Sequence, residues 1–209
     1  SNLSGDVILP TIPRASKLNS ATMNIASNGN SITITPNMTK NVSTYYDSLT
    51  IKNGNTTLFT LDGVTNGTAK SLTTAQINSI YSAIGTATTK TLTCYLTTYT
   101  NSSKTTTIGT SSSVNLVATL PNYSISLTAS VQDTISSYDQ YKPNTNTYIA
   151  NVSKPKFTLS TTSSTGSYYG RSVGYTLNGG SISNPYIMNN YTGQNISIIA
   201  SDGRKSDSK

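Results

Sequence analysis

An Asn-Gly pair between two alternating runs constrains this chain more than any other feature. Tyr45 to Ile51 alternates, with Tyr45, Asp47, Leu49 and Ile51 on one parity. Asn53-Gly54 follows, and Thr57 to Leu61 alternates again. An Asn-Gly loop between period-2 segments predicts a β-hairpin, because both loop positions take positive φ. The same pattern runs through the chain. Ile32-Thr33-Ile34-Thr35 alternates between Asn28-Gly29-Asn30 and Pro36, Leu92 to Tyr99 reads as a strand, and Ser113 to Leu120 carries Val114, Leu116 and Ala118 in register.

One segment breaks this rule. Between Thr73 and Gly85 the apolar residues Ile77, Ile80, Tyr81 and Ile84 stand at helical spacing. Thr73 with Gln76 fits a capping box and Gly85 fits a C′ stop, so a helix of two to three turns is expected to cross between strands. Its isoleucine stripe reads as core contact.

Pro121 marks a boundary. Beyond it Tyr123 to Leu127 alternates, 136–147 is loop-like around Pro143-Asn144 and Asn146, and Tyr148-Ile149 and Phe157 to Leu159 mark strands. Ser163 to Gly166 reads as a loop, Tyr168 to Leu177 as a strand and Asn178 to Ser181 as a turn; Tyr186 to Met188 and Asn195 to Ala200 complete the set. Short strands at intervals near ten residues read as sandwich or barrel architecture. The expected division is an extended lead-in at 1–16, held extended by Pro10 and Pro13, a β-sandwich over 17–121 and a second over 122–209. One large β domain of 209 residues is the alternative. No internal repeat is readable.

Composition supports β structure. Hydrophobic residues are 34% and charged residues 10%, below the usual values of about 45% and 25%. Such low hydrophobicity can signal disorder, but disordered chains are poor in the β-branched and aromatic residues that abound here. There are 14 Tyr, 2 Phe and no Trp. All 7 acids are Asp; the absence of Glu and the abundance of Thr and Asn disfavour helix. The +7 charge is spread from Arg14 to Lys209, with only small local groups at Lys154/Lys156 and Arg204/Lys205. A nucleic-acid binder would cluster it, so no nucleic acid is expected. The charge reads as solubilising, with attraction to an anionic surface as the functional alternative.

The sole cysteine, Cys94, shares a face with Leu92 and Leu96 and reads as a small buried hydrophobe. No run approaches membrane-spanning length and no N-terminal signal pattern is visible. The chain opens at Ser1-Asn2 without Met and ends in Ser206-Asp207-Ser208-Lys209, so both ends read as cuts in a longer protein.

Catalytic options are few. Without His, the Ser-His-Asp and Cys-His constellations and histidine metal sites are excluded. A glycosidase pair would have to come from Asp6, Asp47, Asp62, Asp133, Asp139, Asp202 and Asp207. Asp62-Gly63 and Asp202-Gly203 read as turns. Asp133 and Asp139 flank a loop and form the one calcium candidate, though no EF-hand spacing is present, and no phosphate-cradling Gly-Lys-Ser/Thr occurs. The chain is expected to be no enzyme and to need no cofactor or metal. Tyrosine remains, because it joins a flat apolar face to a hydroxyl. Tyr168, Tyr169, Tyr186 and Tyr191 are the candidate ligand contacts, set against the reading that a chain without Trp builds its core from Tyr. Adjacent Tyr168 and Tyr169, like Tyr45 and Tyr46, cannot both face inward on a regular strand. The Asn-x-Ser/Thr triplets, such as Asn41-Val42-Ser43, are expected by chance in such a composition.

The segment Leu9-Pro10-Thr11-Ile12-Pro13-Arg14-Ala15-Ser16 resembles one that recurs in siphovirus tail structural proteins of phages infecting Gram-positive bacteria. There it leads into an immunoglobulin-like sandwich, usually followed by a second β domain. The resemblance extends to the crossover at Thr73–Ile84 and to the strand from Leu92 to Tyr99. In the second half it takes in Tyr148-Ile149 before Ser153-Lys154, then Tyr175 to Gly179, then Ala200-Ser201-Asp202-Gly203-Arg204. The family ending more often reads Asp-x-Arg-Gly, whereas Lys205 follows Arg204 here. The resemblance implies an all-β chain of two tandem immunoglobulin-like sandwiches in a virion tail fibre, tail tip or baseplate. Such a chain would act as spacer or adhesion module at the host surface, extracellular after release. Its implied partners are other phage tail proteins and host cell-wall polysaccharide, without membrane insertion, and homo-oligomerisation through the parent protein stays open. The alternatives are a carbohydrate-binding module and a bacterial surface adhesin or stalk domain. A binder should present a concave patch with at least two exposed tyrosines; a spacer should bury or scatter them.

Overall fold

The computed structural model describes residues 5–7, 12–133, 141–144, 147–149, 154–189 and 191–209. The chain forms two compact units. The first holds Ser1–Asn24, Ile32–Ala83 and Thr89–Thr119, and the second Ile25–Ser31, Ile84–Thr88 and Leu120–Lys209.

In chain order the first half supplies β1 (Lys17–Ile25), β2 (Ile32–Thr39), β3 (Tyr46–Asn53), β4 (Thr56–Asp62), β5 (Lys70–Ser71), helix α1 (Thr74–Ile84), β6 (Thr89–Tyr99), β7 (Thr107–Thr110) and β8 (Val114–Thr119). One sheet has the order β1-β2-β5 and the other β4-β3-β6-β7, with β8 also paired to β6. Strands β7 and β8 are two halves of one last strand. At the break Ser111 replaces the ladder, its amide donating to the Leu96 carbonyl and its hydroxyl accepting from the Leu96 amide, both at 2.9 Å. Each sheet turns one face inward: Leu18, Ile32, Ile34 and Met38 from the first, and Leu49, Ile51, Leu92, Cys94, Leu96, Leu116 and Ala118 from the second are buried. Burial also raises the Cys94 thiol pKa to about 11, which leaves it an inert core group.

The second half supplies β9 (Ile125–Asp133), β10 (Tyr141–Asn144), β11 (Thr147–Ile149), β12 (Pro155–Ser163), β13 (Gly174–Leu177), β14 (Gly180–Ile182), β15 (Tyr186–Ile187), β16 (Ile198–Ser201) and β17 (Ser206–Ser208). Its sheets run β15-β12-β9 and β14-β13-β16-β17. Leu127, Phe157 and Leu159 from one meet Ile198 and Ala200 from the other in a single apolar cluster. With the β10–β11 hairpin set aside, the strands of both units follow one order, first-second-fifth against fourth-third-sixth-seventh. This is an immunoglobulin-like sandwich built twice. The two copies differ by insertion: a hairpin between first and second strands in one, and α1 between fifth and sixth in the other.

Helix α1 forms as its sequence dictates. The Thr73 amide donates to Gln76 Oε1 (2.9 Å), the Gln76 amide donates to Thr73 Oγ1 (3.2 Å), and Gly85 ends the helix at φ +61°. Ile77, Ile80, Tyr81 and Ile84 are buried.

Several sequence expectations are corrected. The β3–β4 loop is Gly54-Asn55, since Asn53 pairs with Thr56. Gly54 has φ +58° and Asn55 is not among the positive-φ residues, the pattern of a II′ turn. The two-residue Asn-Gly loop occurs instead at Asn178-Gly179, with φ +47° and +87° between Leu177 and Gly180. Strand β2 continues through Pro36 to Thr39, the Pro36 carbonyl accepting from the Gly67 amide at 2.9 Å. The loop-like stretch 136–147 contains β10 and the start of β11; its residues 136–140, 145 and 146 lie outside the described residues. The stretch Tyr168 to Val173 is no strand, and β13 begins at Gly174. Strands β1, β5 and β7 were not legible: β1 shifts parity between Leu18 and Ala21, β5 has two residues, and β7 carries a single large apolar side chain.

Candidate functional site

The four candidate tyrosines of the second unit occupy separate places: the 168–173 turn, the β15 edge and the β15–β16 connection. Tyr169 is 1% exposed at φ +49°. Its hydroxyl donates to the Ser27 carbonyl (2.6 Å) and lies 3.0 Å from Thr165 Oγ1. Its ring meets that of Tyr123 at 5.1 Å between centroids, near edge-on at 61°. It is a core residue with no face left for a ligand. Tyr168 is half-buried with its hydroxyl enclosed by protein. Tyr186, opposite Phe157 in the ladder, packs partly buried against the apolar cluster. Tyr191 is half-buried.

Two buried carboxylates hold the packing together. Asp202 is 1% exposed. Tyr123 donates its hydroxyl to Asp202 Oδ2 at 2.5 Å, and the Arg204 and Lys205 amides donate to Oδ1 at 2.8 Å each. Burial works to raise the Asp202 pKa, but the Tyr123 hydroxyl and the two amides outweigh it and hold the carboxyl below its ordinary value. The partner responds oppositely: burial and the bond to Asp202 push Tyr123 up to about 12. Arg204 donates to the carbonyls of Gly85 (2.8 Å), Tyr168 (2.9 Å) and Tyr169 (3.0 Å), which ties the β16–β17 turn to the 168–170 turn. The turn and β17 form with Lys205 after Arg204. In the first unit Asp47, also 1% exposed, accepts from Ser16 Oγ (2.9 Å) and Thr98 Oγ1 (2.6 Å), and the Ser16 amide donates to Thr98 Oγ1 (2.8 Å). This fastens the end of the lead-in to β3 and β6. Sequence reasoning had Asp202 as a turn residue and gave Asp47 no role, because partners 31 to 79 residues away leave no local signal.

A different surface gathers tyrosine. Opposite residues of an antiparallel ladder share a face. On the outer side of the five-stranded sheet, Tyr46 stands opposite Tyr99, Ser48 opposite Asp62 and Thr97, and Thr50 opposite Thr60 and Tyr95. Tyr46, Tyr95 and Tyr99 are each half-buried. Beneath and between them Ser48 and Thr50 are 1% and 8% exposed. Ser48 donates to Asp62 Oδ1 (2.7 Å), and the Thr50 and Thr60 hydroxyls bond at 3.2 Å. Lys104 Nζ bonds Asp62 Oδ2 at 3.0 Å. The Ser48 hydroxyl and then Lys104 hold the Asp62 carboxyl below its ordinary pKa, and the same bond raises that of Lys104. The sequence signal for this face was the Tyr45–Tyr46 parity argument and the alternation Tyr95-Leu96-Thr97-Thr98-Tyr99; what it lacked was the register that sets β3 beside β6.

Comparison with known proteins adds little. No family model matches the chain, and neither does any curated protein. Among solved structures, fibronectin(III)-like modules of Clostridium thermocellum CbhA align at 16% identity over 93% of this chain and 91% of that one, with a TM-score of 0.26. So low a score carries no argument, and the sandwich assignment stands on strand order and core. Among the described residues no three Asp or Cys side chains converge as metal ligands. The calcium candidate cannot be placed there, since Asp139 lies outside them.

Proposed function

We propose that this chain is a non-enzymatic structural and host-attachment segment of a siphovirus-type phage tail, its two sandwiches serving as successive modules between virion and host surface. The observation that carries the reading is the repeated strand order in two consecutive units. Tandem sandwiches of this kind add modules and surface. Two further features support it. The buried carboxylates Asp47 and Asp202 are engaged by hydrogen bonds within their own units, Asp47 with Lys40 Nζ also 3.9 Å away, which marks them as packing groups. The last residue of the tail-like segment, Ser16, is itself buried and bonded to Asp47 and Thr98. The segment therefore has a structural task in starting the first sandwich. Its residues Leu9, Pro10 and Thr11 lie outside the described residues.

The implied partners are neighbouring tail proteins, and the implied location is the virion. Mass spectrometry of gradient-purified particles tests this. Peptides of this chain should be recovered at a fixed ratio to the major tail proteins; their absence from infectious particles would overturn the proposal.

A further inference from the structure

We infer that the outer face of the five-stranded sheet in the first unit binds a neutral, hydroxyl-rich glycan, with Tyr46, Tyr95 and Tyr99 as its stacking platform. The inference concerns a surface, not a location, so it stands or falls independently of the tail assignment.

Four observations lead there. The three tyrosines come from adjacent strands on one face: Tyr46 and Tyr99 form a cross-strand pair, and Tyr95 lies four residues along β6 from Tyr99, a span of about 13 Å. That is long enough for more than one sugar ring. Among the described residues no hydrogen bond is found for their hydroxyls, and each half-buried ring keeps part of its surface exposed, Tyr46 lying against Gly63; hydroxyl and partial ring face together suit a sugar's apolar face and equatorial hydroxyls.

The platform is also preorganised. Ser48 and Thr50 are buried beneath it and bonded to Asp62 and Thr60, so β3, which carries Tyr46 and pairs with β6 along Tyr95 and Tyr99, is pinned on the outer side as well as by the core. A fixed surface loses less entropy on binding.

Charge then selects the ligand class. Asp62 is paired with Lys104, which leaves Lys52, opposite Thr93, as the unbalanced charge in these rows. A phosphate polymer or nucleic acid needs several clustered cations. Lys52 and the paired Lys104 do not make such a cluster. A protein interface, for its part, centres on large buried anchors in pockets, whereas here the tyrosines are interleaved with Ser and Thr. An uncharged polysaccharide fits this surface best.

Native affinity electrophoresis of the whole chain tests the inference, using gels that contain soluble glucan, mannan, galactan or rhamnan. At least one should retard the wild type, and the retardation should persist at raised salt, since stacking and neutral hydrogen bonds are not screened. Tyr95→Ala and Tyr99→Ala should each weaken it about tenfold, and Tyr99→Phe less. Thr60→Lys, an exposed change in the Thr50–Tyr95 row that also removes the Thr50–Thr60 bond, should block binding while the circular dichroism stays that of the folded chain; this keeps the test open should an alanine variant fail to fold. Retardation by none of the polymers would overturn the inference. So would retardation abolished by salt, retardation indifferent to Tyr95, Tyr99 and Thr60, or capture by this face of a tail protein from dissociated particles in place of glycan.

Discussion

Asp202 concentrates much of the second unit's polar packing in one side chain. Removing it leaves the Tyr123 hydroxyl and two backbone amides without their acceptor in a buried site. Asp202→Ala should therefore lower unfolding free energy by about 3 kcal/mol in urea titration, whereas an exposed change such as Thr57→Ala should shift it by less than about 0.5 kcal/mol. Titration follows from the same contacts. Asp62, Asp202 and Asp207 have folded pKa values below their ordinary ones, so their contribution is present above the unfolded carboxylate pKa of about 3.9 and is lost as pH falls through the lower folded values. Tyr123 is raised to about 12. Its contribution is complete below the unfolded value of about 10 and is lost as pH rises through the folded one. With no histidine in the chain, Tm should be flat between about pH 5 and 8 and fall on both sides. Tyr123→Phe should make the alkaline limb shallower, the part due to the raised Cys94 and Lys104 remaining, and leave the acid limb of Asp62 and Asp207 in place. A Tm that steps between pH 6 and 7 would contradict this assignment.

Elements whose information is local were legible, and those that depend on pairing were not. Helix α1 was readable to its cap because Thr73, Gln76 and Gly85 specify its ends through contacts three residues apart. Thr73→Ala should cost about 1 kcal/mol. Ile80→Ala, at a fully buried position, should cost about 3 kcal/mol. The hairpin at Asn53-Gly54 was readable as a hairpin but not in register, because Asn53-Gly54-Asn55 offers two adjacent loops and cross-strand pairing chooses between them. At Asn178-Gly179 the side chain decides as well. Asn178 Oδ1 accepts from the Ser197 amide (2.7 Å), and Nδ2 donates to the Asn195 carbonyl (3.1 Å). Gly179→Ala meets no neighbour within 4 Å but keeps φ +87°, so its cost should be the backbone penalty alone, about 1–2 kcal/mol. Tyr169 shows the limit of alternation: a residue at positive φ points its ring where no strand pattern would send it. Tyrosine content marked a contact surface as a question, and only the β3–β6 register could say where the rings gather.

Across the molecule, two units with little visible sequence correspondence share one strand order, because each inward face needs only alternation and volume. Those requirements leave the outer faces free to differ. The second unit spends its tyrosines on its own packing at Tyr123, Tyr169 and Tyr186. The first sets three on an outer sheet face. A tandem of this kind suits a segment that both spaces and contacts, which is the role proposed in the tail. Immunogold electron microscopy with antibodies raised against the chain, applied to intact particles of the phage that the proposal implies, tests that placement most directly. The account predicts gold on the tail, its fibres or its tip, with bare heads. Particles without label, and gold on the bacterial wall of uninfected cells, would contradict it.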